Sequence, residues 1–265
     1  MIEHYDRNWH GLSLEEVAQA AGIDPAAVAN HHFYRAFYER LRQNGFRVAS
    51  EWADQKRRWT PWVQRYLDQR RRETGSASRG ISVGAGLGIV EEPLLSRGYD
   101  IVLHECQPDS FEYLRHRGVR FEQIIGTDLS SVASETFDVA FMLTISYVFP
   151  ADGFVPVLRD VRRILRPGGL LVLAELLPPF SKLPIVTRTH RAGLRLLGRR
   201  RAPGVFWGWL RTAAEHRAAL RQAGFTVEET LFLDDRGQRV SAPLLPFGCA
   251  LPHSHAVSQW FVARR

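Results

Sequence analysis

Residues 81–106, ISVGAGLGIVEEPLLSRGYDIVLHEC, decide the fold. A short apolar run ends in three glycines at alternate positions, Gly84, Gly86 and Gly88, and the next apolar run ends in a carboxylate, Glu105. Glycine tolerates positive φ and lets a ligand approach the main chain with no Cβ in the way. The pattern predicts a strand turning into a helix, then a second strand; in open α/β sheets the crevice beyond such strand ends is where ligands sit. An acid closing the second strand is placed to accept hydrogen bonds from a ribose diol, so a nucleoside is the expected ligand. A dinucleotide fingerprint would need glycine or alanine at position 89, where the chain has Ile89, and no Lys-Ser or Lys-Thr follows to make a phosphate-binding P-loop. The alternative is a tight strand-to-helix turn with no ligand.

Outward from this stretch, short apolar runs alternate with helical ones. ISVGA, YDIVLHE, FEQIIGT, FDVAFMLT, GGLLVLAEL, FTVEETLFL and AVSQWFVAR read as strands. Pro167-Gly168-Gly169 ends the helix RDVRRILR before a buried strand. The expected fold is α/β: a Rossmann-like, mostly parallel, seven-stranded sheet with helices on both faces. Residues 1–74 read instead as an aromatic-rich helical lid or annex, with 75–265 as the main domain and an insertion at about 178–210. In the annex, Ser13 and Glu16 form a capping box and Gly22 ends that helix; Asp24 and Pro25 then predict the cap and first position of a second helix. Trp52, Trp59 and Trp62 fall near one face of a further helix that Pro61 kinks or divides.

With 265 residues, 45% of them hydrophobic, the chain can bury a full core. No run approaches the roughly 18 apolar residues of a membrane span, and MIEHYDRNWH has no apolar signal core, so a cytoplasmic protein is expected. Cys106 and Cys249 cannot make a disulfide framework or a cysteine-rich zinc site. The net charge of +7 is almost wholly arginine, with Lys56 and Lys182 the only lysines, a bias that reads as compositional before it reads as a nucleic-acid face.

Together these pieces resemble the class I S-adenosylmethionine-dependent methyltransferases. ISVGAGLG is similar to the family's first motif, Glu105 to its ribose acid, Asp128 in GTDL to its adenine-side acid, FDVAFMLT to its fourth strand, and LRDVRRILRPGGLLVLAEL to its approach to the fifth. RTAAEHRAALRQAGFTVEE is similar to its late helix and sixth strand, so the likeness spans about residues 80–233. Carried onto the matching positions, it implies S-adenosyl-L-methionine as cofactor, held by Ser82, Gly84, Ala85, Gly86, Gly88, Glu105, Cys106, Asp128, Leu129, Leu143 and Thr144. One position departs: where the family commonly has an acid two residues before the first glycine, this chain has Ser82. Either another acid takes its place, or cofactor affinity suffers, or the chain runs a non-methylating reaction on the same fold.

The resemblance implies methyl transfer to a small-molecule acceptor, anionic or aromatic, in secondary metabolism. An activated methyl needs no universal base, so catalytic candidates rest on position: Tyr147 just past the fourth strand, and His190 in the insertion. Acceptor candidates are His31, Tyr34 and Tyr38 on the lid, Tyr147, Arg188 beside His190 and Arg191 in an acid-free basic stretch, and Trp207 with Phe206 and Trp209. Each of these also reads as an ordinary packing or surface residue. His253 and His255 alternate without nearby carboxylates or cysteines, and no metal is expected. The lid would also suit a homodimer contact. A separate class stays open: SLEEVAQAAGIDPAAVANHHF resembles a helix-turn-helix, although its second helix has no Arg or Lys up to His32.

Overall fold

The computed structural model describes residues 1–27, 29–178, 204–242 and 256–265. Its strands are β1 (Ile2–Asp6), β2 (Asn8–Trp9), β3 (Leu12–Ser13), β4 (Gly80–Val83), β5 (Ile101–Glu105), β6 (Glu122–Ile125), β7 (Phe137–Leu143), β8 (Leu165–Leu176), β9 (Val205–Leu210), β10 (Thr226–Asp234), β11 (Arg239–Val240) and β12 (Ala256–Arg264). The main helices are α1 (Leu14–Ala20), α2 (His31–Gln43), α3 (Ser50–Arg57), α4 (Thr60–Thr74), α5 (Glu92–Leu95), α6 (Glu112–His116), α7 (Ala151–Ile164) and α8 (Ala213–Gln222).

All seven predicted strands join one sheet in the order β11-β10-β12-β8-β7-β4-β5-β6. β8, β7, β4, β5 and β6 run parallel, while β12 is antiparallel to both of its neighbours. An eighth strand, the two-residue β11, extends the edge by a hairpin on β10 that is too short to carry an apolar signal. Alternate residues of the buried runs feed opposite faces, which is why those runs are continuously apolar. Ile81, Val102, Ala140 and Leu171 pack with Phe154, Leu158 and Val161 of α7. Ile101, Val139, Phe141 and Val172 pack with Trp59, Val63, Tyr66 and Leu67 at the start and on the inner face of α4. Chain order reverses at β4, with β5 on one side and β7 on the other, and that reversal opens the crevice predicted from the glycine run.

The first 57 residues form a cap with a core of its own. Leu14, Val17, Phe33, Phe37, Tyr38 and Leu41 pack together with Leu87 and Ile89 from the glycine loop and with Val205 and Trp207 from β9. Ile89, the residue that spoils a dinucleotide fingerprint, thus ties the loop to the cap. β1 pairs antiparallel with β9, bringing Ile2 opposite Leu210 and Tyr5 opposite Phe206.

Two local expectations have definite outcomes. The Ser13 hydroxyl accepts from the Glu16 amide and caps α1, which is one half of the predicted capping box. The second helix, by contrast, begins at His31 and not after Asp24-Pro25: Asn30 is its cap, its side chain accepting from the amides of His32 and Phe33. The reason is tertiary, since the Pro25 carbonyl accepts from the Phe206 amide and the Ala29 amide donates to the Phe206 carbonyl, so backbone groups a helix would use are engaged by β9. Pro61 sits in the first turn of α4 and divides it from α3, where its missing N–H costs nothing.

Candidate active site

A cavity of about 610 Å³ lies beyond the C-terminal ends of β4, β5, β6 and β7 and beneath the cap. Its sheet-side wall is built by the glycine loop. The amides of Gly84 and Ala85 both donate to the His104 carbonyl, at 2.9 and 3.0 Å, which folds the loop back over β5. At Gly84 φ is +68°, and a Cβ there would stand 1.8 Å from Ile145 Cδ1, so only glycine lets the loop after β7 come this close. Glu105 is buried at the end of β5: one carboxylate oxygen accepts from the Gly86 amide at 2.9 Å and the other from the Cys106 amide at 2.7 Å. Its carboxylate therefore faces the loop and lines the cavity. Bare backbone beside a fixed carboxylate in a cleft open on one side fits a nucleoside with a free diol.

The remaining expected cofactor residues are brought together around the same wall. Asp128, Leu129, Leu143, Thr144 and Cys106 all line the cavity. The Asp128 carboxyl is held below the usual carboxylate range by hydrogen bonds from the Ser130 hydroxyl and amide, and its carbonyl meets His104 Nε2 at 2.9 Å. Burial pushes the Cys106 thiol well up, so it keeps its proton. Gly88 turns the loop away from the cavity toward Leu114.

Ser82 is buried in β4 and does not line the cavity; its hydroxyl donates to Glu91 Oε1 at 2.6 Å. Glu91 does line it, so an acid stands close to where the expected one is missing. Burial raises the Glu91 carboxyl above its ordinary value, against the hydrogen bond from Ser82. Beside it, on the β7 side, Lys56 of α3 reaches in from the cap. Its Nζ donates to Thr144 Oγ1 at 2.6 Å and lies 4.0 Å from the centre of the Trp59 ring. Burial lowers the Lys56 ammonium to about 7, with Glu175 and Glu91 opposing. Glu175, buried at the end of β8, accepts from the amides of Ile145 and Ser146 at 2.9 and 2.6 Å; its carboxyl is pushed up to about 7 by burial. Burying an ammonium costs several kcal/mol unless it is paired, and one hydroxyl plus a ring face is thin compensation.

The cap-side wall is chemically different. Trp9, Trp52, Tyr34, Tyr38, Tyr147 and Trp207 all line the cavity. The Tyr147 and Trp207 rings lie nearly parallel, 15° and 6.3 Å apart, and Trp207 meets Tyr34 edge-on. β9 can pass this close only because position 208 is glycine, where a Cβ would stand 2.1 Å from the Tyr147 carbonyl oxygen. The buried Arg211 fixes the other side of that loop, donating to the carbonyls of Ser146, Phe149 and Pro150. The hydroxyls of Tyr34 and Tyr147 are 3.1 Å apart. Burial raises both phenols, Tyr147 to about 12, so at neutral pH they donate or accept hydrogen bonds and neither is a phenolate. His31 stands at the exposed rim, its carbonyl accepting from Gln107. His4 and Asp6 of β1 also line this half.

Arg188, His190 and Arg191 lie outside the described residues, as do Cys249, His253 and His255. Among the described residues no group of three or more His, Cys, Asp or Glu side chains is placed to hold a metal, and no helix is long and apolar enough to cross a membrane. α2, the recognition helix of a helix-turn-helix reading, turns Phe33, Phe37, Tyr38 and Leu41 into the cap core and Tyr34 and Tyr38 toward the cavity.

Sequence reasoning missed Lys56, Glu91, Trp9 and Trp52 as parts of this site. A signal existed for one of them, since Trp52, Lys56 and Trp59 recur at helical spacing and Lys56 is one of two lysines in an arginine-rich chain.

Comparison with known proteins agrees with this geometry. Residues 81–173 match the family model described as Methyltransferase domain. No curated protein matches the chain. Among solved structures, an S-adenosylmethionine-dependent methyltransferase from Archaeoglobus fulgidus superposes with a TM-score of 0.56 at 12% identity, over 86% of this chain and 100% of that one. One from Methanosarcina mazei gives 0.53 at 16% identity, over 77% and 97%. The 1,6-didemethyltoxoflavin-N1-methyltransferase of Burkholderia thailandensis, solved with 1,6-didemethyltoxoflavin and S-adenosylhomocysteine, gives 0.52 at 16%, over 92% and 93%. The domain, the sheet order and the loop define a class I methyltransferase fold. Residues 81–173 are thus a domain of the S-adenosylmethionine-dependent methyltransferase family, the family whose cofactor is S-adenosyl-L-methionine, and the chain around them shares its fold.

Proposed function

We propose that the chain methylates a small acceptor with a flat, largely apolar body, seated between the aromatic cap and the glycine loop. The observation that carries this reading is a single cavity with two unlike walls: backbone amides and Glu105 on the sheet side, and a surround of tryptophan and tyrosine rings on the cap side. Rings of this kind favour stacked or edge-on contact with a planar partner and leave few polar groups to hold a chain-like one.

Glu105 would hold the ribose diol, Leu129 and Leu143 the adenine faces, and the Gly84–Gly86 backbone the sulfur end. Bound there, S-adenosylmethionine supplies an activated methyl group, so the protein's own work is to aim the acceptor and exclude water. Trp207 and Tyr147 fix the plane in which the acceptor lies. The Tyr34 and Tyr147 hydroxyls, both protonated at neutral pH, orient a polar atom on it and do not remove its proton. A proton leaving a hydroxyl acceptor has His4 and Asp6 within the same half of the cavity; a carboxylate or free amine needs neither.

The test is methyl-labelled S-adenosylmethionine offered with flat aromatic acceptors that differ only in carrying a hydroxyl, amine or carboxyl group. Label should pass to at least one of them with an equal amount of S-adenosylhomocysteine formed. Transfer to aliphatic acceptors alone, or to none of the series, contradicts the reading.

A further inference from the structure

Ser82 removes an acid from the place where this fold commonly has one, yet the buried charges around the loop are not fewer. Two of them line the cavity with no duty in the packing described above. Glu91 touches Ser82 and so sits by the end of β4. Lys56 touches Thr144 and so sits by the end of β7. Glu105 closes β5, on the opposite side of β4 from β7. Neighbouring strands lie about 4.8 Å apart, so a ligand whose sugar rests on Glu105 and whose substituent crosses the end of β4 arrives between Glu91 and Lys56. That substituent meets one anion and one cation. The complementary group is a zwitterion: an ammonium for Glu91 and a carboxylate for Lys56.

We infer that Lys56 and Glu91 together grip the amino-acid end of the cofactor, Lys56 taking the carboxylate and Glu91 the ammonium, with Ser82 fixing the Glu91 carboxyl in place. The inference rests on the cofactor reading above and names the residues of this chain that complete it. It also gives the cap a binding duty, because Lys56 is carried by α3 while Glu91 and Glu105 belong to the sheet domain. Lys56 bridges the two: its ammonium stands 5.8 Å from the centre of the Trp52 ring and 4.0 Å from that of Trp59, and it reaches the loop after β7 at Thr144. A ligand carboxylate gives the ammonium the partner it otherwise lacks, and a buried charge-assisted pair of this kind is worth far more than the same pair in water.

The experiment compares two nucleosides by calorimetric titration of the intact protein: S-adenosylhomocysteine, which has the amino-acid end, and 5′-methylthioadenosine, which lacks it. Lys56→Met keeps an unbranched side chain that can lie against the two tryptophans while removing the charge. Glu91→Gln keeps the shape and the bond from Ser82. Each should weaken S-adenosylhomocysteine by on the order of 30-fold, as loss of a charge-assisted hydrogen bond in a buried site does, and leave 5′-methylthioadenosine within about twofold, as expected when the ligand part that touches the residue is absent. Unchanged affinity for both ligands overturns the inference. So does an equal loss of both, which would make the pair a support of the pocket and not a grip on the tail. Wild-type protein that binds neither nucleoside overturns the cofactor reading itself, and this inference with it.

Discussion

Glu105 and Trp207 face one cavity from opposite walls, and the two walls are assembled in different ways. The sheet wall comes chiefly from one run of chain, residues 83–145, in which strand ends and loops follow each other in order. The cap wall is gathered from β1, β2, α2, α3, β9 and the loop after β7, so that Tyr5 at one end of the sequence pairs with Phe206 more than three-quarters of the way along. One wall is fixed by local backbone geometry, the other by long-range packing. The first suits a ligand that does not change, and the second can be rebuilt ring by ring for a different acceptor while the loop stays as it is.

That division can be strained from the cap side. Trp207 is buried and touches Tyr34 and Tyr147. Trp207→Ala should lower stability by about 3 kcal/mol, within the range for deleting a large buried ring, read as a fall in thermal midpoint. Its effect on S-adenosylhomocysteine affinity should stay within about threefold, since Trp207 touches no group assigned to that ligand. The contact of Leu87 and Ile89 with the cap core is a route by which the change could reach the loop. A loss of affinity as large as that from a loop residue would show that the walls are one unit.

A smaller effect sharpens the comparison through pH. His10 is buried in the cap against Trp9 and Trp52, and its Nδ1 accepts from the Ala49 amide at 3.3 Å. Burial lowers the imidazole to about 4, below the 6.5 of an open chain. As pH falls below about 6.5 the unfolded chain takes up a proton that the folded chain refuses, so the stability His10 contributes is complete above that value and is lost toward pH 4. His216, packed beneath the sheet wall against Phe261 and bonded to Ser146, is lowered to about 3 and acts in the same direction. Replacing His10 with Asn, which tolerates its positive φ of 52°, should flatten the decline between pH 6.5 and 4.5 by on the order of 1 to 3 kcal/mol. The measurement is thermal denaturation across that interval, and an unchanged slope would mean that His10 is not neutral in the fold.

What could be read from the sequence follows the same boundary. Gly84, Gly86 and Glu105 were legible because each answers to a constraint within a few residues of itself: a positive φ, a close approach, a strand end. The strands were legible because burial on both faces leaves an unbroken apolar run. β9 was not, since VFWGWL owes its extended shape to pairing with β1 across some 200 residues of chain. For the same reason Asp24-Pro25 looked like a helix start, though Phe206 engages the backbone there and moves the start to Asn30. Ser82 showed only that something was missing. The acid that stands close by, Glu91, lies nine residues on in a Glu-Glu-Pro turn, where sequence shows an ordinary helix entrance.

The most direct test of the account is the dissociation constant of S-adenosylhomocysteine for the wild-type protein and for Glu105→Ala, with circular dichroism confirming that both are folded. Saturable one-to-one binding that the substitution weakens at least about tenfold is the predicted result, from the loss of charge-assisted bonds to a diol. Equal affinity in the two proteins, or no binding at millimolar ligand, would contradict it.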